Sequence, residues 1–348
     1  MSREIMRTIE WDDSDSSIKM IDQTLLPGEL KFIKCKNIAE VCEAIQNLRI
    51  RGAPALGICG AFAMALAARL SSASTVEGMI KDMKIAGDAV KKTRPTAINL
   101  EWAVDHILQV AEEEGMDPRL IQNIALEEAK NMADEDVKIN QKIGKNGAKL
   151  LHDGDVVLTH CNAGRMACVD WGTALGVIRS AVSDGKKIMV LACETRPLNQ
   201  GSRITAWELQ QDKIPVQVIT DSTAGFLMSE GVVNKVIVGA DRVTQEFVYN
   251  KIGTYTHSVL AKEHNIPFYV AAPISTLDAK SWDENVKIEK RSEDELRYIG
   301  SGKDLNVPQG VPILNFAFDK TPMENVSAII TEKGVFYPPI LIEELILG

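Results

Sequence analysis

Hydrophobic residues in the first half of the chain recur at three- and four-residue intervals, interrupted by Gly, Pro and Ser. This periodicity predicts helices with one apolar face. We place them at Ile38–Leu48, Pro54–Leu70, Val76–Lys92, Asn99–Glu114 and Pro118–Lys145. Two shorter runs ahead of the helices, Ile5–Ile9 and Ser17–Asp22, predict a short β-hairpin that ends before a turn at Pro27 and Gly28.

Short apolar runs alternate with helical segments in the second half of the chain. This alternation is typical of βαβ units, which build a parallel sheet. The predicted strands are Asp155–Thr159, Lys187–Ala192, Val216–Thr220, Lys235–Gly239, Pro267–Ala272 and Ser327–Thr331. We therefore expect an α/β protein in which a small, mainly helical N-terminal domain, residues 1–145, precedes a Rossmann-like parallel-sheet domain, residues 146–348.

Polar clusters follow the first four of these strands. They begin at Thr159, Cys193, Asp221 and Asp241. The carboxyl ends of parallel strands lie on one edge of a sheet, where such folds bind ligands, so the clusters are expected to converge on one crevice. The sequence has no glycine fingerprint after the first strand and no Walker A motif, so we expect no nucleotide cofactor.

Charge and composition narrow the choice of partner. The net charge is -9, from 39 Lys and Arg against 48 Asp and Glu, and no long basic run offsets it. This balance argues against binding to nucleic acid or to an anionic membrane. The chain shows neither a signal peptide nor a long uninterrupted apolar stretch, so we expect a cytoplasmic protein.

Six cysteines in a chain of this length are too few and too irregularly spaced for a disulfide framework. Cys161 and Cys168 also lack the spacing of zinc ligands, so we expect no metal. His160 has no partner at ligand spacing, and it is more typical of a packed core histidine than of a base.

Two residues at strand ends are candidates for chemistry. Cys161 precedes a turn whose backbone amides could lower the pKa of its thiol, although free cysteines are often simply buried. Asp241 ends an apolar strand, where burial could raise the pKa of its carboxyl into the range of a general acid. It could equally cap the next helix or pair with Arg242.

Several segments could hold an anion or a sugar. Arg51, Gly52 and Ala53 open one predicted helix, and Arg94 lies before another, so both helix starts are candidate phosphate sites. Each could also be a plain turn with a proline at the helix start. Sugar hydroxyls need groups that donate and accept hydrogen bonds, as the amides of Gln200 and Asn250 do, and Lys251 adds an ammonium. The alternative interpretation is that Asn250 and Lys251 lie in a solvated loop and bind no ligand.

The motifs RGAPALG, TRPTAINLEWA, THCNAG, ETRPLNQGSRITAWEL, VGADR and NKIGTY occur in this order from about Arg49 to Gly334. Together they resemble the methylthioribose-1-phosphate isomerase family. The resemblance implies a helical N-terminal domain, a Rossmann-like C-terminal domain and a homodimer. It also implies isomerisation of a sugar phosphate, S-methyl-5-thioribose 1-phosphate, from aldose to ketose in methionine salvage. It also implies Cys161 and Asp241 as the catalytic residues. The implied substrate contacts are Arg51, Gly52, Ala53, Arg94, Gln200, Asn250 and Lys251.

The sequence departs from the family pattern in two places. Residues 244–249 replace an Asn-Gly-Asp turn, and residues 165–168 replace small residues after the Cys161 motif. Both changes affect the expected pocket, so 5-deoxyribose 1-phosphate is an alternative substrate. Ribose 1,5-bisphosphate is a further alternative, although a second phosphate requires more basic residues than the motifs supply. The last alternative is a noncatalytic regulatory subunit of an initiation-factor exchange complex, against which the retained Cys161 and Asp241 argue.

Overall fold

The computed structural model describes residues 6–281, 286–299 and 304–347. The chain forms two compact units, and each unit takes two stretches of sequence. The first contains Met1–Gly144 and Ala163–Gly176, and the second contains Lys145–Asn162 and Val177–Gly348. The fold class is confirmed: a largely helical N-terminal region and a parallel-sheet region are both present.

The first unit combines one small antiparallel sheet with a group of helices. Its sheet has the order β1 (Ile9–Asp12), β2 (Ser17–Ile21) and β3 (Phe32–Cys35). The helices are α1 (Ile38–Gln46), α2 (Ala53–Leu70), α3 (Val76–Thr93), α4 (Ile98–Glu114) and α5 (Pro118–Ala148), the last of which continues into the second unit.

Helix α2 is the centre of the first unit. It is buried from Ala55 to Ala68 and therefore lacks the polar face of a surface helix. Among the residues that the structure describes, it is the one helix with the length and apolar composition of a membrane span, and its burial in this core accounts for both.

The N-terminal strands differ from the prediction. The predicted hairpin is a three-stranded sheet, because β3 was missed and the first strand begins at Ile9 rather than Ile5. Ile5 itself lies outside the described residues. Strand β3 escaped the sequence analysis because its residues are mostly exposed and so lack an apolar pattern.

The segment Ala163–Gly176 groups with the first unit, although the predicted single boundary assigns it to the second domain. Two backbone hydrogen bonds hold it there: the Thr8 N–H donates to the Val169 carbonyl at 2.9 Å, and the Val169 N–H donates to the Asp136 carboxylate at 2.7 Å. The sequence alone does not show that this segment packs with the first unit, because the residues that bond Val169 are more than thirty positions away along the chain.

The second unit is built on a seven-stranded sheet. Its order is β15, β14, β10, β7, β4, β5, β6, and all neighbours are parallel except β14 and β15. These strands are β4 (Val156–Thr159), β5 (Met189–Cys193), β6 (Val216–Ile219), β7 (Lys235–Val238), β10 (Phe268–Ala271), β14 (Ala328–Ile330) and β15 (Val335–Phe336). Every strand predicted for this sheet is present, with ends shifted by one or two residues.

Smaller elements complete the second unit. One short sheet contains β8 (Arg242–Val243), β9 (Phe247–Lys251) and β13 (Phe318–Pro322). Another contains β11 (Tyr298–Ile299) and β12 (Asp304–Leu305). The helices are α6 (Ala174–Ser183), which begins in the first unit, α7 (Ala206–Gln211), α8 (Thr223–Ser229), α9 (Thr254–Glu263), α10 (Asp294–Arg297) and α11 (Ile342–Leu347).

Candidate active site

The strand order places one crevice at the centre of the large sheet. Chain order runs outward from β4 through β5 to β6 on one side, and through β7, β10 and β14 on the other. This is the doubly wound arrangement, in which ligands bind at the carboxyl ends of the strands where the order reverses. Leu158 of β4 pairs with Val236 of β7 at that reversal. Cys161 follows β4 and Asp241 follows β7, so both candidates lie at the expected position.

The turn that carries Cys161 has an uncommon backbone conformation. Cys161 has a φ angle of +63°, a value that residues other than glycine rarely adopt. Two threonines fix it: the Cys161 N–H donates to Thr195 Oγ1 at 2.8 Å, and Thr205 Oγ1 donates to the Cys161 carbonyl at 2.7 Å. Backbone outliers held this firmly cluster at functional sites.

A buried polar network lies behind this turn. The Asn162 amide donates to Glu208 at 2.9 Å and to Thr205 at 3.1 Å. Arg179, itself buried, forms ion pairs with Glu208 and Asp212. Because each charge in the network has a partner, its burial is compatible with stability and the group acts as a rigid support.

The main chain of Asp241 is held by a backbone hydrogen bond. Its N–H donates to the Tyr249 carbonyl at 2.9 Å, and β8 pairs with β9 directly after it. The neighbouring Arg242 forms an ion pair with Asp278 at 3.2 Å. The hairpin of β8 and β9 brings the end of β9, with Asn250 and Lys251, back beside Asp241.

Lys251 links the candidates electrostatically. Burial lowers the pKa of its ammonium, and the groups whose ionised forms oppose this shift are Cys161, Glu295 and Asp241. These groups therefore share one local environment with the ammonium. Glu295, on α10, gave no signal in the sequence, because its approach to Lys251 depends on the tertiary fold.

Asp319 is a second acidic residue that sequence reasoning missed. It lies opposite Asn250 in the pairing of β13 with β9 and accepts hydrogen bonds from the N–H groups of Gly253 at 2.7 Å and Tyr255 at 3.1 Å. Burial raises the pKa of its carboxyl to about 6. The carboxylate caps α9 and so fixes the turn from β9 into that helix, and Asn250 on β9 donates its amide N–H to Thr254 at 3.1 Å.

Gln200 lies directly before a π-helical turn, Gly201–Thr205, after β5. Its side chain is buried, and among the described residues its Oε1 has no hydrogen-bond donor. A buried carbonyl oxygen without a donor is costly. A ligand hydroxyl would supply the missing donor.

The remaining predicted contacts lie in the first unit. Helices α2 and α4 begin at the same end, since Gly57 packs on Asn99 and Gly60 packs on Leu100. Arg51, Gly52 and Ala53 open α2, and Arg94 ends α3 shortly before α4. The two candidate phosphate cradles are therefore side by side.

Gly52 is required by its surroundings. Its φ is +98°, and a Cβ atom there would lie 2.5 Å from the Cα atom of Ala167. Only glycine permits both the conformation and the close approach.

The fold and this crevice define the class of protein. The sequence pattern described as the Initiation factor 2 subunit family matches residues 49–338, and the chain belongs to that family.

Relatives narrow the class further. A protein from Methanosarcina acetivorans, provisionally named a methylthioribose-1-phosphate isomerase, is 60% identical over 99% of this chain and 98% of its own length. The crystal structure of 5-methylthioribose 1-phosphate isomerase from Pyrococcus horikoshii has a TM-score of 0.90 at 40% identity, covering 99% of this chain and 96% of that one. The resemblance to the methylthioribose-1-phosphate isomerase family is confirmed, and so is the prediction that the chain is an enzyme.

One similar solved structure is named as a translation initiation factor subunit rather than as an isomerase. The translation initiation factor eIF-2B, subunit delta, from A. fulgidus is 52% identical, with a TM-score of 0.87, over 99% of this chain and 100% of that one. The fold alone therefore does not separate an isomerase from a subunit of an initiation factor.

Proposed function

We propose that this chain isomerises S-methyl-5-thioribose 1-phosphate to S-methyl-5-thioribulose 1-phosphate. The observation that carries the proposal is the position of Cys161 and Asp241 after the adjacent strands β4 and β7, with both side chains near enough to Lys251 to affect its pKa. A thiol and a carboxyl group that follow adjacent strands can supply the acid and base that an aldose-to-ketose conversion needs.

The substrate presents a specific difficulty, because phosphate on the anomeric oxygen prevents the spontaneous ring opening that free aldoses undergo. In the proposed mechanism Asp241 donates a proton to the ring oxygen as the bond from that oxygen to C1 breaks. One hydrogen then moves from C2 to C1, and the C2 hydroxyl loses its proton to become the ketone. Cys161 assists this transfer, either by shuttling a proton or by stabilising a hydride shift.

The other residues bind the substrate. Gln200 Oε1 accepts a hydrogen bond from a sugar hydroxyl, and Asn250 and Lys251 hold a polar group of the substrate. Arg51 and Arg94 at the starts of α2 and α4 are the proposed phosphate contacts, because helix N-termini and guanidinium groups both favour phosphate.

The alternative substrate 5-deoxyribose 1-phosphate has one structural argument in its favour. The turn between β8 and β9 carries Thr244, Gln245 and Glu246, and the side chain of Gln245 is engaged with backbone groups of Ile340 and Ile342 at 2.7 and 3.0 Å. Gln245 is thus engaged within the chain, at the turn that replaces the Asn-Gly-Asp turn of the family pattern, and a changed turn there would change which group fits at C5.

A comparison of kcat/KM on three substrates tests the proposal. The purified protein is assayed with methylthioribose 1-phosphate, 5-deoxyribose 1-phosphate and ribose 1,5-bisphosphate, and we expect the highest value for the first. Cys161→Ser and Asp241→Asn should each lower kcat by at least about 100-fold, as expected for loss of a general acid or base. The Arg242→Gln variant, which removes the charge beside Asp241, serves as a matched control.

Three outcomes contradict the proposal. A higher kcat/KM for 5-deoxyribose 1-phosphate would transfer the assignment to that substrate. Turnover that survives both substitutions would remove Cys161 and Asp241 from the chemistry. No turnover of any pentose phosphate by the unmodified protein would favour the initiation-factor subunit. Isomerising the substrate in deuterated water separates the two routes, because complete retention of the C2 hydrogen excludes a freely exchanging proton.

A further inference from the structure

Three buried side chains outside the proposed mechanism meet beneath the Cys161 turn. His160 directly follows β4, Cys193 ends β5, and His257 lies on α9. One donor atom of each lies within 4.8 Å of those of the other two. Two imidazoles and a thiol at this separation are the ligand types of zinc sites.

The hydrogen bonds of His160 orient it as a ligand. Its Nε2 donates to the Ile252 carbonyl at 2.8 Å, which leaves the lone pair on Nδ1 facing the group. A histidine that binds a metal characteristically donates its other N–H to a backbone carbonyl or a carboxylate. The supporting hydrogen bond of a metal ligand is therefore already present.

His257 supplies the second imidazole. Its Nε2 lies 3.2 Å from Nδ1 of His160, and its own Nδ1 is buried without a hydrogen-bond partner among the described residues. Two nitrogens bound to a tetrahedral zinc at the usual bond lengths are separated by roughly 3.3 Å. Here that separation is a hydrogen bond, which His257 Nε2 donates to the lone pair of His160 Nδ1. An ion shared by the two nitrogens would replace this hydrogen bond at nearly the same separation, with the His257 proton carried on Nδ1 instead.

Asp221 completes the charge balance. Its Oδ1 lies 3.8 Å from Nδ1 of His160, and its side chain is 27% exposed. Its two oxygens accept hydrogen bonds from the N–H groups of Thr195 and Arg196, both at 2.8 Å, which hold the carboxylate beside the group and leave a lone pair on Oδ1 for a fourth ligand bond. A divalent cation with the Cys193 thiolate and the Asp221 carboxylate is electrically neutral, as a buried site requires. The Cys193 thiol releases its proton to solvent when the ion binds.

We propose that His160, His257 and Cys193, with Asp221 as the fourth ligand, form a binding site for a borderline divalent cation such as Zn²⁺. The site ties the ends of β4 and β5 to the start of α9 and supports the Cys161 turn without taking part in isomerisation. The inference does not rest on the proposed function. No metal was expected from the sequence. These four ligands come from separate segments, so they form no motif that could be recognised along the chain.

A cobalt titration tests the site. The full chain carrying Cys161→Ser, which removes the other thiol of the crevice, is stripped with a chelator and titrated with Co²⁺. We expect about one equivalent bound, with the near-ultraviolet absorption of a cobalt thiolate that Zn²⁺ then abolishes. His257→Gln and Cys193→Ala in this background should each weaken Co²⁺ binding at least about 10-fold.

Matched controls use the same residue types elsewhere. His264→Gln at the end of α9 and Cys59→Ala, another buried free thiol, should leave Co²⁺ affinity unchanged. Absence of a saturable thiolate band would overturn the proposal, and so would affinity that is unaffected by His257→Gln and Cys193→Ala. If either variant fails to fold, X-ray absorption of the zinc-loaded unmodified protein decides: a sulfur in the first shell with at least two nitrogens supports the site, and a shell without sulfur overturns it.

Discussion

The turn that carries Cys161 and the turn that carries Asp241 are fixed in different ways. Around Cys161, hydroxyl groups of Thr195 and Thr205 bond the backbone, and the buried ion pairs of Arg179 support them. Around Asp241, the restraint is backbone pairing between β8 and β9. The comparison teaches that side-chain substitutions far from the chemistry should disturb the first turn and largely spare the second.

Arg179→Met should give the largest effect. It leaves Glu208 and Asp212 buried without their cation, which should lower the free energy of unfolding by about 3–5 kcal/mol. Urea unfolding measures the loss. Lys262→Met, which breaks the exposed pair with Glu324, should cost less than about 1 kcal/mol. Similar losses for the two variants would show that the buried network is not the main support of the Cys161 side.

A matched pair of Thr→Val substitutions compares the two turns directly. Thr195→Val removes the acceptor of the Cys161 N–H but keeps the branched side chain. Leaving that N–H unsatisfied should cost about 1–3 kcal/mol, so we expect kcat to fall about 10- to 100-fold. Thr244→Val removes a hydroxyl that bonds Phe247 in the hairpin, and kcat should change by less than about 3-fold. An equal fall in both variants would contradict the comparison.

The two buried histidines predict how stability depends on pH. Their folded pKa values, about 4 and about 3, lie below the ordinary value of 6.5, so the unfolded chain binds protons first as the pH falls. Stability from this source is present above pH 6.5 and is lost on acidification toward pH 4. Between pH 7 and pH 5 each histidine should cost about 2 kcal/mol.

Thermal unfolding in chelator-containing buffer measures this dependence. His257→Gln should flatten the acid limb relative to the unmodified protein, whereas His264→Gln should leave it unchanged. The histidine pair connects the two turns that are compared above. His160 lies beside Cys161, and it donates a hydrogen bond to Ile252, which follows β9 of the hairpin after Asp241. An unaltered acid limb in His257→Gln would mean that the pair does not stay neutral in the folded state.

Gln200→Leu should give the smallest effect. It removes the unpartnered Oε1, and with it one neutral hydrogen bond to the substrate, so KM for methylthioribose 1-phosphate should rise about 3- to 10-fold with a smaller change in kcat. Gln200→Glu keeps an acceptor at this position and serves as the comparison. Steady-state kinetics would contradict the assigned role if kcat fell and KM stayed constant.

Much of the fold could be predicted, because its signals are local. The helices α1 to α5 and the strands of the large sheet follow from apolar periodicity, and the motifs supplied Cys161, Asp241 and Lys251 as candidates. Strand β3 was missed because its residues are mostly exposed, and β8 because it has only two residues. Strand β9 is buried, but it ends in the polar residues Asn250 and Lys251, which are also typical of a loop.

The amino-acid sequence was sufficient to predict which segments are helices or strands and which residues can carry chemistry. Both properties depend on the type of each side chain and on its neighbours along the chain. The tertiary structure alone decided which polar groups meet. Thr195 lies 34 residues from Cys161 and Glu208 lies 46 residues from Asn162, yet they bond directly. Contacts of this kind depend on strand order and on which groups are buried together, and neither leaves a periodic trace along the chain.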